Sequence, residues 1–386
     1  MELAEHYDKI RPYRDEEVAP AIERLLAHPH FGAVLDFLFR DRDRDEVRKQ
    51  LEAVSTVEQF QIFFSHHTVK YIVDSTSDGL SIQGLEKLDR ATPYLFIANH
   101  RDIVLDAAIM QYALFQGGYP TSQITFGQNL MTEQILLDIG KLNKMFTFYR
   151  GGSRITQYRN ALLNSSYINR VIREEKDSIW IAQRNGRTKD GRDQTQPALM
   201  KMLGLEQGSL GPALAGLNIV PVTISYESEP CDFLKIRETC LSGEKEYVKA
   251  PGEDLQSILA GITGHKGRIH YAFGTPLNDF ITGLEEENLH ENDMMDRIAG
   301  EIDRQVSKDY QLWPWNYYAC DLLHKKRKFI DHYGEDDRKS FTSHMDAGIK
   351  AMKDLDPDEL RELFLQLYAG PVENRLSFGR SGPGAF

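Results

Sequence analysis

Asp106 is a lone carboxylate in a stretch that otherwise reads as buried. The segment "LFIANHRDIVLDAAIM" (Leu95 to Met110) starts like an inner strand, turns at an Asn-His pair and continues almost wholly apolar. An isolated buried charge is expensive and is normally paired, hydrogen-bonded or neutralised. His100 is the nearest group able to partner it. A carboxylate that reaches an imidazole fixes its tautomer and stabilises its charged form, which is how a general base is built. Asp102 lies closer to His100 in the chain. It falls at the start of the same apolar helix, where a carboxylate caps free amides, one turn before Asp106 and on the same face.

The second group of candidates is basic. Arg150 ends the aromatic run "MFTFY" at a Gly-Gly turn that precedes a helix, and a helix N-terminus favours anions. After the apolar run "SIWIA" come Arg184, Arg187, Lys189 and Arg192, with Gly186 and Gly191 among them. Arginine forks suit phosphate and carboxylate geometry, and glycine lets backbone amides approach an anion closely. Between Lys141 and Arg192 twelve Lys/Arg stand against four Asp/Glu, in a chain of net charge -12. Arg170, Arg173 and Lys176, beside Glu174 and Glu175, read as a solvated helix face. The remainder suggests one site for an anion: a phosphate, a carboxylate or the acidic carrier of an activated group.

The elements that must position these groups alternate. Runs with strand character are "LSIQGL", "PYLFIA", "SQITF", "MFTFY", "SIWIA", "LNIVPVTISY" and "RIHYAF". Helical patterns separate most of them, near 103–116, 131–142, 153–175 and 196–205. The expected fold class is α/β: a layered mixed sheet flanked by helices, with further helical segments at both ends. We expect an N-terminal helical region over 1–78, an α/β catalytic domain over 79–280 and a C-terminal helical extension over 281–386. Ser55, three residues before Glu58, suggests a capping box. Pro221 within its apolar run suggests an edge or bulged strand, and the tail from Leu376 reads as mobile.

In this order the four segments resemble the motifs of the glycerolipid acyltransferases. "NHRDIVLD" is similar to their Asn-His…Asp motif, with five residues rather than four between His100 and Asp106, and with Leu105 in the usual place. The demand of the buried carboxylate selects Asp106 as the orienting group, with Asp102 the alternative. "KMFTFYRGG" resembles the aromatic strand ending in Arg, which implies that Arg150 contacts an acceptor phosphate. "IWIAQRNGRTKDGR" resembles the Glu-Gly-x-Arg motif, with Gly186 and Arg187 matched and Asn185 in place of the acid. Lys189 follows in the same loop. "LNIVPVTISYE" resembles the proline-bearing strand, with Pro221 in the corresponding place near the acyl or acceptor site.

The resemblance spans roughly residues 85 to 230. It implies transfer of a fatty acyl group from acyl-CoA or acyl carrier protein to the hydroxyl of glycerol 3-phosphate or lysophosphatidic acid, in phospholipid synthesis and without a cofactor. Two alternatives stay open because of Asn185: an amino-acid-type lipid acceptor, or a non-catalytic lipid- or carrier-binding relative.

Other readings are weaker. His28 with His30, and His66 with His67, lack companions at metal-ligand spacing. No Walker-type loop, dinucleotide fingerprint or nucleic-acid module is present. Three cysteines, Cys231, Cys240 and Cys320, form no disulfide framework and suit a reducing cytoplasmic setting. The polar, acidic start reads as neither a secretory signal nor a transit peptide. The apolar runs are too short to span a bilayer, so any membrane contact is expected to be peripheral, on the inner face. "YQLWPWNYYACDLLHKKRKF" mixes aromatic and basic residues. It suits either a membrane interface or a helix packing its aromatic face on the core.

Overall fold

The seven runs become strands because their residues alternate between two faces, both of which are covered in the inner strands, while the edge run Leu80–Gln83 is largely exposed. They are β1 (Leu80–Gln83), β2 (Leu95–Ala98), β3 (Gln123–Gly127), β4 (Met145–Phe148), β5 (Ile179–Ala182), β6 (Ile219–Tyr226) and β7 (Ile269–Phe273). The computed structural model describes residues 2–128, 133–206, 209–243 and 252–380. One sheet takes the order β1-β7-β6-β2-β5-β3-β4. All its neighbours are parallel except β6 and β7, which run antiparallel. The fold is α/β, a mixed sheet flanked by helices.

Leu95, Ile97, Ile179, Ile181 and Ile219 point to one face, against the helices Arg154–Arg170, Pro197–Gly204 and Glu291–Asp309. Phe96, Ala98, Trp180, Ala182, Val220 and Val222 point to the other, against His66–Thr76 and Leu105–Gln116. A third core joins the N-terminal helices to Leu142, and a fourth joins Ile236 to the C-terminal helices. The line drawn at residue 280 falls inside the helix Asn278–Glu286, whose Ile281 and Leu284 pack on the sheet.

Several local expectations change. The helix expected from Ser55 is capped by Thr56, whose hydroxyl accepts from the Gln59 amide, while Gln59 reaches back to the Ser55 amide. Pro221 is not in an edge strand, since β6 lies between β7 and β2. Pairing with β7 sets Val222 opposite Phe273, which places Pro221 opposite Gly274. The Gly274 amide donates to the Pro221 carbonyl, and the reciprocal bond is the one a proline cannot give. The strand loses that bond at the end of the β7 ladder, where β7 has already finished. The helix Pro357–Arg380 takes in Leu376 to Arg380, against the expectation of a mobile tail, because Leu376 packs on the fourth core. Residues 381–386 lie outside those described. Among the described residues no helix is long and apolar enough to cross a membrane.

His66 gives the fold a pH dependence. Its ring stacks on Phe115 at 3.9 Å between centroids, and neither ring nitrogen has a partner among the described residues. Burial pushes its pKa down to about 4. Between that value and the ordinary 6.5 the unfolded chain binds the proton and the folded one does not. This contribution is therefore present above pH 6.5 and is lost as pH falls toward 4. Urea unfolding should show a loss of about 2 kcal/mol from this group between about pH 7 and pH 5. His66→Phe should lose that part of the pH dependence, and an unchanged slope in the variant would remove His66 as its source.

Candidate active site

β2, β5, β3 and β4 run parallel, and β6 runs parallel to β2. Their C-terminal ends therefore share one edge of the sheet, where ligands of open α/β sheets bind. His100 follows β2, Arg150 follows β4, and Asn185, Gly186, Arg187 and Lys189 follow β5. Pro221 is buried within β6, beside Ile97. The loops after β2, β4 and β5, whose named residues are up to 89 positions apart in sequence, thus lie at one end of the sheet.

The imidazole is held by Asp106. His100 Nδ1 lies 2.9 Å from Asp106 Oδ2. The same oxygen accepts the amides of Arg101 at 2.6 Å and Asp102 at 2.9 Å, and Oδ1 accepts the Tyr226 hydroxyl at 3.1 Å. An ionised carboxylate only accepts, so Nδ1 carries the proton and Nε2 keeps its lone pair. Among the described residues nothing bonds Nε2. The His100 side chain is 15% exposed and Asp106 is fully buried, so the free nitrogen faces outward and its orienting acid is shielded. Burial, followed by the charge of Asp106, raises the Tyr226 pKa well above 10, which keeps it a donor. The Tyr271 hydroxyl donates to the Asp106 carbonyl, and Trp180 meets the His100 ring edge to face at 6.0 Å.

Asp102 does other work. Its Oδ1 accepts the amides of Val104 and Leu105, starting the helix Leu105–Gln116. Its Oδ2 is buried without a hydrogen-bond partner. Burial, then the charge of Asp106, raises its pKa above the usual range. The amides of Arg101, Asp102, Val104 and Leu105 are all committed to these two carboxylates. None of these four amides is free to stabilise an oxyanion.

The geometry separates the basic residues. Arg150 Nη1 donates to the Asn185 side-chain oxygen, joining the β4 and β5 loops across β3. Arg187 is 7% exposed, donates through Nη2 to Ser257 Oγ at 3.3 Å, and leaves Nη1 unpartnered. Lys189, expected to face substrate, is drawn instead to Glu238 at 2.7 Å. Arg192 pairs with Glu373 at 3.0 Å. The Thr188 amide donates to the His100 carbonyl at 2.8 Å, which ties this loop to the turn after β2.

The two loop glycines differ. A Cβ on Gly186, at φ +75°, would meet nothing within 4 Å, so space is open there. A Cβ on Gly191, at φ +71°, would stand 2.2 Å from the Leu367 carbonyl oxygen. Pro371 has no amide to give that carbonyl, which leaves a notch in the helix Pro357–Arg380 that Gly191 fills. Gly191 therefore serves packing and not anion binding. Gly191→Ala should lower the urea-unfolding free energy by about 1–3 kcal/mol through strain at positive φ and overlap. A change within experimental error would show that the loop shifts freely.

Arg101 escaped the sequence reading. It is fully buried, with Nη2 2.5 Å from Asp193 and Nη1 3.1 Å from Glu229, and Lys235 is 2.5 Å from Glu229. Asn99 holds the same turn by bonding the Ile224 amide and carbonyl and the Asp193 carboxylate. The only signal in the sequence is an arginine between two buried-segment residues, and nothing local names its partners. Cys231 lies near Arg187 and donates its thiol to the Ser257 carbonyl at 3.1 Å. Burial pushes that thiol up to about 11, so it stays protonated and weakly nucleophilic at neutral pH.

No family model matches the chain, and no curated protein matches it. Among solved structures, a similar one is the 1-acyl-sn-glycerophosphate (LPA) acyltransferase PlsC from Thermotoga maritima. The match covers 71% of this chain and 95% of that one, at 15% identity and a TM-score of 0.31. At those values the likeness says nothing about activity or substrate.

Proposed function

We propose that this chain is an acyltransferase that moves an acyl group from a thioester to the hydroxyl of an anionic acceptor. The observation that carries this reading is the His100–Asp106 pair: an imidazole with its tautomer fixed by a shielded carboxylate and its second nitrogen free. His100 Nε2 removes the acceptor hydroxyl proton as that oxygen attacks the thioester carbonyl. The tetrahedral intermediate collapses by breaking the C–S bond, and the imidazolium returns its proton to the departing thiolate. Arg150 and the free Nη1 of Arg187 hold the acceptor's anion and so place its hydroxyl beside the base. Glycerol 3-phosphate or lysophosphatidic acid are the favoured acceptors, with acyl-CoA or acyl carrier protein as donor.

Asn185 sets the strength of the anion site. It bonds Arg150 without neutralising it. Asn185→Asp would supply a competing charge, and we expect the acceptor KM to rise roughly fivefold, the upper end for an exposed ion pair, with kcat little changed. A fall in KM would mean that an acid at this position helps acceptor binding.

The test is thiol release from a long-chain acyl-CoA and from the matching carrier-protein thioester. Each donor is offered glycerol 3-phosphate, lysophosphatidic acid or an acylated amino acid. Release that depends on a phosphate acceptor supports the proposal. Release with the acylated amino acid alone moves the acceptor to a carboxylate lipid. Binding of lipid or carrier without release under any condition makes the chain a non-catalytic relative.

A further inference from the structure

The aromatic and basic parts of the segment from Tyr310 to Ile330 have separate fates. Trp315, Tyr317 and Tyr318, with the helix Pro314–Leu323, pack into the fourth core. The next residues do not. Lys325, Lys326, Arg327 and Lys328 are consecutive and all exposed, and among the described residues none of them enters an ion pair. In a chain of net charge -12, four cations without acidic partners are not what surface neutralisation produces.

The loop that carries them is held in shape from below. Asp321, 3% exposed, accepts the amides of Lys328 and Phe329 at 2.9 Å each and the Tyr333 hydroxyl at 2.9 Å. These bonds fold the loop back against the end of the helix Pro314–Leu323. Two apolar side chains flank the cations in the open: Leu322 is 36% exposed and Ile330 is 47% exposed. His324 bonds Glu373 at 2.8 Å, and Glu373 also holds Arg192 of the β5 loop at 3.0 Å. Glu373 therefore links the basic loop to the β5 loop at Arg192.

We propose that the loop Lys325–Lys328, with Leu322 and Ile330, docks this chain on an anionic lipid bilayer. The cations meet the negative headgroup layer, and the two apolar side chains enter the boundary between headgroups and acyl chains. The acidic remainder of the surface is repelled, so the chain settles with this loop and the β5 loop toward the lipid. A nucleic acid fits less well. Its long line of phosphates would run onto the acidic surface and has no use for Leu322 and Ile330. Docking requires no chemistry at His100 and stands or fails apart from acyl transfer.

Sedimentation of the full chain with vesicles tests it. One set is phosphatidylcholine alone, and the other carries about one quarter phosphatidylglycerol, which supplies the negative surface. The chain should bind the anionic set only and be released in about 0.5 M salt, where screening acts over a few ångströms. Each lost cation should weaken binding roughly fivefold, so changing all four to serine should weaken it by about 10²-fold or more. Ile330→Ser should cause a smaller loss that salt does not alter. Unchanged thermal unfolding and far-ultraviolet circular dichroism show that the variants are folded. Absence of binding to anionic vesicles, equal binding to both sets, or full binding by the fourfold variant would overturn the proposal. Retardation of duplex DNA through the same four residues, without vesicle binding, would assign the loop to nucleic acid and overturn it too.

Discussion

His100→Ala is expected to lower acceptor-dependent turnover by about 10²–10⁴-fold, the usual contribution of a general base. Binding of the anionic acceptor should be nearly unchanged, because Arg150 and Arg187 remain. Alanine removes the imidazole and leaves Asp106 with three of its four donors, the Arg101 and Asp102 amides and the Tyr226 hydroxyl. The carboxylate stays satisfied, so the loop keeps its shape and the loss falls on kcat. Rate measurements beside acceptor titration by calorimetry separate the two effects. A variant with wild-type turnover would remove His100 from the reaction, and a variant that lost both turnover and binding would make it a structural residue.

Arg101→Ala should destabilise the fold by about 3–5 kcal/mol, because it leaves charges buried without their partner. Asp193 and Glu229 are both 3% exposed on their side chains and share this one guanidinium, with Lys235 reaching only Glu229. Tyr310 lies 5.0 Å from the same guanidinium and would lose that contact as well. A loss of this size is a large part of the stability of an ordinary domain. Urea unfolding should therefore show a much lower midpoint, or the variant should be recovered unfolded. Arg101→Lys should rescue little, since a point charge cannot bridge two carboxylates as a planar fork does. Wild-type stability in the alanine variant would show that water or a rearrangement replaces the arginine.

The sheet was legible in the sequence because its strands are short apolar runs bounded by turns, and all seven runs named from the sequence became strands. The His100–Asp106 pair was legible for a related reason: a carboxylate within an apolar helix needs a nearby donor, and the chain offers one. What stayed hidden depends on distance in sequence. Arg101 finds Asp193 and Glu229 across more than 90 residues, and Lys189 and Arg192 find Glu238 and Glu373 on other helices. A basic residue in a loop looks alike whether it faces a ligand or an acid that folding brings to it. The helices Asp232–Ser242 and Glu253–Thr263 were missed because they bury few side chains. Ile236 is the only hydrophobic buried in the first, and the second buries only Ser257 and Gly261. Pro221 misled for a local reason, since its missing amide falls where the β7 ladder has ended.

The central claim is direct transfer by a histidine base, and the fate of a labelled acyl group tests it most directly. The full chain is incubated with a long-chain acyl-CoA labelled at its carbonyl carbon, with and without glycerol 3-phosphate, and the protein and the small molecules are both examined by mass spectrometry. The expected result is label on the acceptor oxygen in step with free thiol, no label on the protein, and both products formed about 10²-fold or more slowly in His100→Ala. Label retained on the protein, above all at Cys231, or thiol released without any acylated acceptor, would contradict the account.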